Sequence, residues 1–366
     1  MKVPFFNYQA LFKNDEAALL DVIKDVCSRG AYILQRDLEE FETNIAEFIN
    51  IKHVIGVANG TDGLILALRA AGIKEGDEVI MPTHTYIATA ASVHFTGGIP
   101  IGIDILPDHM MDPSKIEKAI TKKTKFLMPV QVNGRTCEMD QIIDIAKKHN
   151  LTVVEDAAQA LGSKFKGKAA GSFGAAGMFS LYPAKLLGCY GDGGLVVTND
   201  DKIAEQVKLL RDHGRNEKGE VVAWGLNSRL DNLHAAVLNH KLKSYPQDIE
   251  RRREIAAMYQ EGLSDLEQLT LPVGPNSGDH FDVYQNYELE AERRDDLKKY
   301  LSDNGVGTIV QWAGTLIHQF KKLGIKAESP IADQMNTHFL MLPMHTALSN
   351  DDVSFVVDNI RNFYRS

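Results

Sequence analysis

Two neighbouring segments, EDAAQA (Glu155–Ala160) and FSLYPAKLLGCYGDGG (Phe179–Gly194), carry the strongest pattern in this chain. The first follows the apolar run Leu151–Val154, so Asp156 stands where a predicted buried strand ends. The second places Lys185 between apolar residues and ahead of several glycines. A buried carboxylate and a lysine in apolar surroundings are both costly unless they are paired or have shifted pKa values. The two segments therefore indicate a site that does chemistry.

Upstream of these segments, short apolar runs alternate with helix-forming stretches. The predicted strands are Val54–Val57, Glu78–Met81, Pro100–Ile105, Phe126–Val132 and Leu151–Val154, and the predicted helices cover residues 15–27, 36–50 and 87–95. This alternation indicates an α/β fold with a mostly parallel sheet covered on both faces. Ligands of such sheets bind at the carboxyl ends of the strands. Asp156 and the turn ANGTDG (Ala58–Gly63) both fall at such ends, which predicts one shared pocket.

The downstream part of the chain has a different pattern. A charged helix containing ERRRE (Glu250–Glu254) follows a break near Tyr245-Pro246, and we place a domain boundary there, between residues 1–245 and 246–366. Beyond it we expect strands Val283–Leu289 and Thr308–Trp312 and helices Glu292–Asn304 and Asp351–Tyr364. These elements predict a small C-terminal α+β domain.

Composition restricts the classes of function. The 366 residues are 44% apolar and 24% charged, and the formal net charge is −9, which argues against nucleic acid as a partner. Three cysteines without metal-ligand spacing are typical of a reduced compartment. The N-terminus lacks a signal-peptide profile, and no apolar run approaches the roughly 20 residues of a membrane helix. We expect a cytoplasmic protein with no membrane partner.

Lys185 and Asp156 together favour a pyridoxal phosphate (PLP) enzyme. A lysine amine forms a Schiff base with an aldehyde once its pKa is low enough for the neutral amine to exist. A buried aspartate keeps a pyridine nitrogen protonated, which makes the ring an electron sink. Taken singly, each residue has an ordinary alternative: Lys185 as a surface charge, and Asp156 as a helix cap or a member of an ion pair.

Further residues fit the needs of this cofactor. Gly60 and Thr61 lie at a strand-to-helix turn that suits a phosphate, and the Ser180 hydroxyl adds a donor. Gln159 is placed to reach a phenolic oxygen, and Tyr86 to stack on the ring. The alternatives are an ordinary helix N-cap at Thr61, a surface amide at Gln159 and a core aromatic at Tyr86.

Two other kinds of site are disfavoured. GCYGDGG (Gly188–Gly194) lacks the GxGxxG spacing and precedes the apolar strand Leu195–Val197, so we reject a dinucleotide fingerprint and expect a loop whose backbone approaches a ligand. The histidines show no HxxxH or HExxH spacing; those considered are His84, His94, His213, His234, His240, His318, His338 and His345. We predict no metal site.

The chain resembles the nucleotide-sugar aminotransferases of the DegT type. The resemblance covers essentially the whole chain. It is carried, in order, by ANGTDGLILAL (Ala58–Leu68), GDEVIMPTHTYIATA (Gly76–Ala90), VVEDAAQALGS (Val153–Ser163), GMFSLYPAKLLGCYGDGG (Gly177–Gly194), LRDHGR (Leu210–Arg215) and GLNSRLDNLHAA (Gly225–Ala236). It implies the aspartate-aminotransferase fold (fold type I), with a seven-stranded sheet in the large domain.

The resemblance also implies a role for individual residues. Lys185 would form the covalent aldimine with PLP, Asp156 would pair with the pyridine nitrogen, Gln159 would lie near the phenolic oxygen, Gly60, Thr61 and Ser180 would hold the phosphate, and Tyr86 would cover the ring. Asn227 would reach the phosphate of the neighbouring subunit, which implies a homodimer with shared active sites. Lys185 would move the proton in transamination, with pyridoxamine phosphate as the intermediate form.

The implied reaction transfers an amino group from L-glutamate to a nucleotide-linked keto sugar, giving an amino sugar for glycan or O-antigen (lipopolysaccharide) synthesis. Ser228 and QWAG (Gln311–Gly314) depart from the common family pattern. QWAG and MLPMHTALS (Met341–Ser349) are more similar to the branch that aminates C-3 of dTDP-linked 3-keto-6-deoxyhexoses. The expected sugar-nucleotide contacts are Tyr182, Arg229, Gln311, Trp312 and His318, although Trp312 alternatively packs between the domains.

Three alternatives stay open from the sequence. The first is amination at C-4 of a UDP- or dTDP-linked 4-keto sugar. The second is a PLP-dependent sugar dehydratase, which the presence of Lys185 disfavours because such relatives carry histidine there. The third is a regulatory PLP-binding protein, which the acidic charge and the lack of residues for a further module disfavour.

Overall fold

The helices and strands follow the expected alternation over most of the chain. The structure is a computed structural model that describes residues 3–275 and 277–365. The α-helices are α1 Tyr8–Lys13, α2 Glu16–Arg29, α3 Arg36–Ile49, α4 Gly60–Ala70, α5 Ile87–Phe95, α6 Ile116–Ala119, α7 Met139–His149, α8 Asp201–Arg211, α9 Asn232–Leu242, α10 Tyr245–Leu263, α11 Arg294–Asp303, α12 Pro330–Asn336 and α13 Asn350–Arg365. The strands are β1 His53–Val57, β2 Glu78–Pro82, β3 Ile99–Ile103, β4 Thr124–Leu127, β5 Thr152–Asp156, β6 Lys164–Phe165, β7 Lys168–Ala169, β8 Ala176–Ser180, β9 Gly194–Thr198, β10 Leu269–Thr270, β11 His280–Phe281, β12 Tyr287–Ala291, β13 Lys326–Glu328 and β14 Phe339–Leu342.

The main sheet has eight strands in the order β1-β9-β8-β5-β4-β2-β3-β13. Only β9 runs antiparallel to its neighbours. The expected count of seven strands is wrong by one, because β13 pairs in parallel with β3, with Lys326 opposite Ile101. β13 has three exposed residues and no apolar pattern, so nothing in its sequence marks it as a strand. Its pairing partner is more than 200 positions away and only the folded chain supplies it.

Helices cover both faces of this sheet, as the continuous apolar strands predict. On one face, Leu195 and Val197 of β9 pack in a core with residues of α3 and α9. On the other face, Val196 packs with residues of α4, α5 and α8. Because successive side chains of a strand point to opposite faces, a strand between two helical layers is apolar at every position.

The helix predicted over residues 36–50 is present as α3, and it has an apolar face. Leu38, Phe41 and Ile45 are buried, and Phe48 packs edge-on against the Tyr245 ring at 5.5 Å between ring centroids. Their spacing of three or four residues places them on one side of a helix. The core on this face therefore forms from residues that the sequence pattern identifies.

The C-terminal part contains the antiparallel sheet β10-β12-β14, packed against α10, α11 and α13. The predicted strand over Val283–Leu289 is displaced to β12, Tyr287–Ala291. The predicted strand over Thr308–Trp312 is wrong: Ile309 makes one bridge to Met341, and Gln311–Gly314 is a short 3-10 turn. In that turn the backbone of Trp312 and Ala313 is left-handed, at φ 47° and 55°. Tertiary contacts override the local apolar pattern here.

The break at Tyr245-Pro246 is where α10 begins, with the proline in its first turn. The division into two domains at this point stays a prediction. None of the described helices is both long enough and apolar enough to cross a membrane.

Candidate active site

A cavity of about 500 Å³ opens at the carboxyl edge of the parallel strands. Strand ends β1, β2, β5 and β8 each deliver residues to it, as the position of Asp156 predicts. Its walls include most of the predicted site residues, namely Gly60, Thr61, Tyr86, Asp156, Gln159, Ser180, Tyr182, Lys185 and Trp312. The single shared pocket expected from the sequence is therefore present.

Asp156 ends β5 and is buried, with 5% of its surface exposed. The Thr89 hydroxyl donates to its Oδ2 at 2.7 Å, and the Ala158 N–H donates to its Oδ1 at 3.1 Å. Burial raises the pKa of Asp156, whereas these two donors and the charge of Lys185 lower it. The carboxylate is thus held by neutral donors, and a cationic group in the cavity would stabilise its charge. The sequence pattern did not indicate this role for Thr89, which lies in the segment PTHTYIATA (Pro82–Ala90).

The preceding residue, Glu155, explains why Asp156 faces the cavity. Its buried carboxylate points to the opposite side of β5 and accepts the backbone N–H groups of Gly171, Phe173 and Gly174 at 2.6–2.9 Å. The amide of Gln131 donates to it as well, at 2.9 Å. Alternate residues of a strand point in opposite directions, so anchoring Glu155 orients Asp156.

Lys185 lies in the loop between β8 and β9. Gln285 holds this loop on both sides of the lysine: its Oε1 accepts from Leu186 N–H and its amide donates to the Ala184 carbonyl, each at 2.8 Å. Burial of the amine lowers the pKa of Lys185 to about 8, and the Asp156 charge acts in the opposite direction. Near neutral pH a useful fraction of this amine is therefore a nucleophile and a base.

Backbone N–H groups suited to an anion lie where α4 begins. Asn59 caps the helix by accepting from Asp62 N–H at 2.8 Å, so the cap is Asn59 rather than Thr61. Gly60 and Thr61 are the first two residues of the helix, and their N–H groups precede its internal hydrogen bonds. A Cβ at Gly60 would lie 3.1 Å from Met178 Sδ and 3.3 Å from Ser180 Cβ, so glycine permits this close packing.

The glycine-rich loop packs closely against the turn that begins α4. A Cβ at Gly194 would lie 2.6 Å from the backbone of Asn59 and 2.9 Å from Gly60 N. The close approach is therefore to the turn that begins α4, and it helps to position the N–H groups of that turn. Asp192 and Gly193 of the loop also line the cavity.

The remaining predicted site residues that line the cavity differ in their contacts and exposure. Gln159 accepts the backbone N–H of Asn133 through Oε1 at 2.6 Å. Tyr86 and Tyr182 are 56% and 52% exposed, so they lie at the mouth of the cavity. Trp312 lines the cavity, and its ring lies 4.9 Å from that of His84.

Four predicted site residues lie outside the cavity lining as the described chain forms it. Gln311 is buried, His318 pairs with Asp333 at 3.0 Å, Arg229 pairs with Asp212 at 2.7 Å, and Asn227 is exposed. Their proposed contacts to a substrate or to a partner's cofactor stay predictions. For Asn227, exposure is what a residue that serves a second subunit requires.

One buried cluster was missed altogether. His84, His109 and Glu288 place one nitrogen or oxygen atom each within 4.8 Å of one another. Spacing along the chain cannot reveal it, because Glu288 is about 180 positions or more from either histidine. The predicted absence of a metal site stays a prediction.

Comparison with known proteins decides the family. The DegT/DnrJ/EryC1/StrS aminotransferase family matches residues 13–361. The chain belongs to this family. It is therefore an aminotransferase, and the resemblance inferred from the motifs is confirmed.

Relatives of this aminotransferase include dTDP-3-amino-3,4,6-trideoxy-α-D-glucose transaminase of Streptomyces venezuelae, 37% identical over 99% of this chain and 96% of the relative. UDP-2-acetamido-2-deoxy-3-oxo-D-glucuronate aminotransferase of Pseudomonas aeruginosa is 36% identical over 96% of this chain and 98% of the relative. The crystal structure of NtdA from Bacillus subtilis with bound cofactor PMP has a TM-score of 0.91 and 30% identity, and the match covers 100% of this chain and 86% of NtdA. The fold class is confirmed, and the family and this cofactor indicate dependence on PLP or PMP.

The cavity of this aminotransferase fits such a cofactor. A buried carboxylate held only by neutral donors suits a protonated pyridine nitrogen, and the same cavity is lined by the start of α4, whose N–H groups suit a phosphate. A lysine with a lowered pKa lines the same cavity. Each part of the cofactor has a matching group in this chain.

Proposed function

We propose that this protein transfers an amino group from L-glutamate to a nucleotide-linked keto sugar, with a dTDP-linked 3-keto-6-deoxyhexose as the best candidate. The observation that carries the proposal is one cavity holding the Lys185 amine, its pKa lowered to about 8, together with the buried carboxylate of Asp156. The product is an amino sugar of the kind used in glycan or O-antigen synthesis.

The names of relatives support the sugar and the carbon. The Streptomyces venezuelae relative is named for a dTDP-linked 3-amino sugar, and the Pseudomonas aeruginosa relative for a UDP-linked 3-oxo sugar. Both names place the amino group at C-3, which favours C-3 over C-4 for this chain. They differ in the nucleotide, so UDP is the second candidate.

Each residue of the site has a role in the proposed reaction. Bound PLP supplies an aldehyde that accepts an amino group and a ring that takes up negative charge from the adjacent carbon. Lys185 would bind the cofactor through its aldehyde and would carry a proton on Nζ during transfer of the amino group. Asp156 would hold the ring nitrogen in its protonated state, and Gly60, Thr61 and Ser180 would bind the phosphate.

We extend the proposal to the assembly and its surroundings. The exposed position of Asn227 supports a homodimer in which this side chain completes the partner's site. The free cysteines Cys27, Cys137 and Cys189 support a reduced, cytoplasmic setting.

A panel of keto sugars tests the substrate. dTDP- and UDP-linked 3-keto and 4-keto sugars are each incubated with the enzyme and L-glutamate, and the products are measured by mass. We expect the amino sugar from the dTDP-linked 3-keto substrate at the highest rate. Turnover of the 4-keto sugars alone would support the C-4 reaction, and loss of water without consumption of glutamate would support a dehydratase.

The pKa of Lys185 gives a pH dependence. The rate at which cofactor-free protein captures PLP should rise with pH to an inflection near 8, because only the neutral amine attacks the aldehyde. In Asp156→Asn the inflection should move lower, since the carboxylate charge raises the Lys185 pKa. The measurement is the gain of visible absorbance, with a free lysine derivative in the same buffers to remove the titration of PLP itself. An inflection at the ordinary lysine value of 10.5 would contradict the assignment.

A further inference from the structure

A buried acidic residue links the C-terminal sheet to the cavity. Glu288 lies on β12 and is 1% exposed. Its Oε2 accepts from His84 Nε2 at 3.1 Å, from His109 Nδ1 at 3.2 Å and from the side-chain amide of Asn133 at 2.8 Å. Burial acts to raise the pKa of Glu288, but the two histidines hold it well below its usual range, so the carboxylate is ionised.

Hydrogen bonds engage both oxygens of this carboxylate. Three donors meet at Oε2, and the Gln311 amide, oriented to donate, reaches Oε1 at 2.7 Å. A cation placed between the histidines and Glu288 would compete for the lone pairs that Asn133 and Gln311 use. The cluster is therefore an anchor for amide groups.

Asn133 connects this anchor to the cavity. Its backbone is left-handed, at φ 57° and ψ 8°, a conformation that asparagine tolerates better than most residues. Glu288 holds its side-chain nitrogen, and the Asn286 amide donates to its side-chain oxygen at 2.9 Å. With the side chain held at both ends, the direction of the Asn133 backbone N–H is set.

That N–H determines how Gln159 is oriented. It donates to Gln159 Oε1 at 2.6 Å, and the Asn286 amide approaches the same oxygen at 3.5 Å. Since the oxygen faces these donors, the Nε2 group of Gln159 is the end left for the cavity that Gln159 lines. A glutamine amide rotated by half a turn would instead present an acceptor there.

We propose that Asn133 is a positioning residue, held by the cluster of His84, His109 and Glu288, that fixes Gln159 as a hydrogen-bond donor to the phenolic oxygen of the cofactor. The inference rests on the proposed function, which assigns Gln159 to that oxygen. It gives β12, outside the large sheet, a defined influence on the electronic state of the site. Trp312 lines the cavity and contacts His84, with their rings tilted by 56° and 4.9 Å between centroids.

The test measures the visible absorption band of the cofactor-loaded protein as a function of pH. A hydrogen-bond donor to the phenolic oxygen makes that oxygen a weaker acceptor for the proton on the Lys185 nitrogen, and so lowers the pKa of that proton. Loss of the donor should therefore raise this pKa and move the inflection of the absorption band to higher pH. We expect a rise of about one pH unit in Gln159→Ala, comparable to one charge-assisted hydrogen bond. Glu288→Gln and Asn133→Gly, the latter keeping the left-handed backbone, should each give about half of that rise.

Controls separate positioning from loss of stability. Asn359→Ala removes a buried amide from α13, far from the cavity, where it donates to the Phe355 carbonyl. We expect lower thermal stability of the cofactor-free protein in this variant without any change in the inflection. A shift of equal size in Asn359→Ala would overturn the proposal.

The remaining outcomes distinguish a failure of the proposed function from a failure of this inference. If no band forms in the wild-type protein, the proposed function fails. If the band forms and Gln159→Ala leaves it unchanged, the assignment of Gln159 fails and the inference with it. If Gln159→Ala shifts the inflection while Glu288→Gln and Asn133→Gly do not, only the inference is overturned. Elemental analysis that finds a stoichiometric metal ion lost in Glu288→Gln would also overturn it.

Discussion

Lys185→Ala should lower turnover of keto sugar and glutamate by at least about 10³-fold, the scale of losing one positioned acid–base group. The variant lacks the Nζ atom that we propose both attacks the aldehyde and carries the proton. It should still bind PLP without a covalent bond, because the proposed phosphate contacts at Gly60 and Thr61 and the Asp156 carboxylate are unchanged. The loss of turnover is measured in timed assays in which the product is quantified by its mass.

The matched control is Lys122→Ala, which removes an exposed lysine in the turn before β4 and should keep full activity. Borohydride reduction of the loaded wild-type protein, followed by peptide mapping, should place the cofactor on Lys185. A label on another lysine, or unchanged turnover in Lys185→Ala, would contradict the assignment of the nucleophile.

Asp156→Asn should reduce turnover by roughly 10²- to 10³-fold, because the charge that stabilises a protonated ring nitrogen is lost from a buried site. The asparagine keeps the size of the side chain. Its oxygen can accept from the Ala158 N–H and its amide can donate to the Thr89 hydroxyl, which can turn to donate to Thr85, so folding should be preserved. The loss should therefore lie in the chemical step and leave cofactor affinity much less affected.

A modified cofactor tests the electrostatic cause directly. PLP methylated on the ring nitrogen carries a permanent positive charge, so it does not need Asp156 to stay charged. Loading Asp156→Asn with it should restore part of the lost turnover, whereas the wild-type protein gains nothing from it. An equal response of both proteins would show that Asp156 acts by another route.

Local sequence identifies the parts of the site that come directly from strand ends. Asp156 and the Gly60-Thr61 turn follow predicted apolar strands whose carboxyl ends meet at one edge, so their convergence is predictable from the alternation alone. Lys185 stands out because its neighbours are apolar. The positions of these residues could be predicted without the C-terminal part of the chain.

Contacts between distant segments could not be predicted in the same way. β13 joins the large sheet although its own residues have no strand pattern, and the predicted strand over Thr308–Trp312 is replaced by a left-handed turn. Gln311 lies buried beside Glu288, a contact that its own neighbours in the sequence do not indicate. In each case a partner far along the chain decides the local structure.

Apolar periodicity and the chemistry of single side chains are local properties, and from them the α/β fold, the position of the pocket and its lysine and aspartate follow directly. The orientation of Gln159, the burial of Glu288 between two histidines and the eighth strand depend on distances between segments separated by tens to hundreds of residues. These contacts form only in the folded chain, because hydrogen bonds between residues far apart in the sequence produce no periodic sequence pattern.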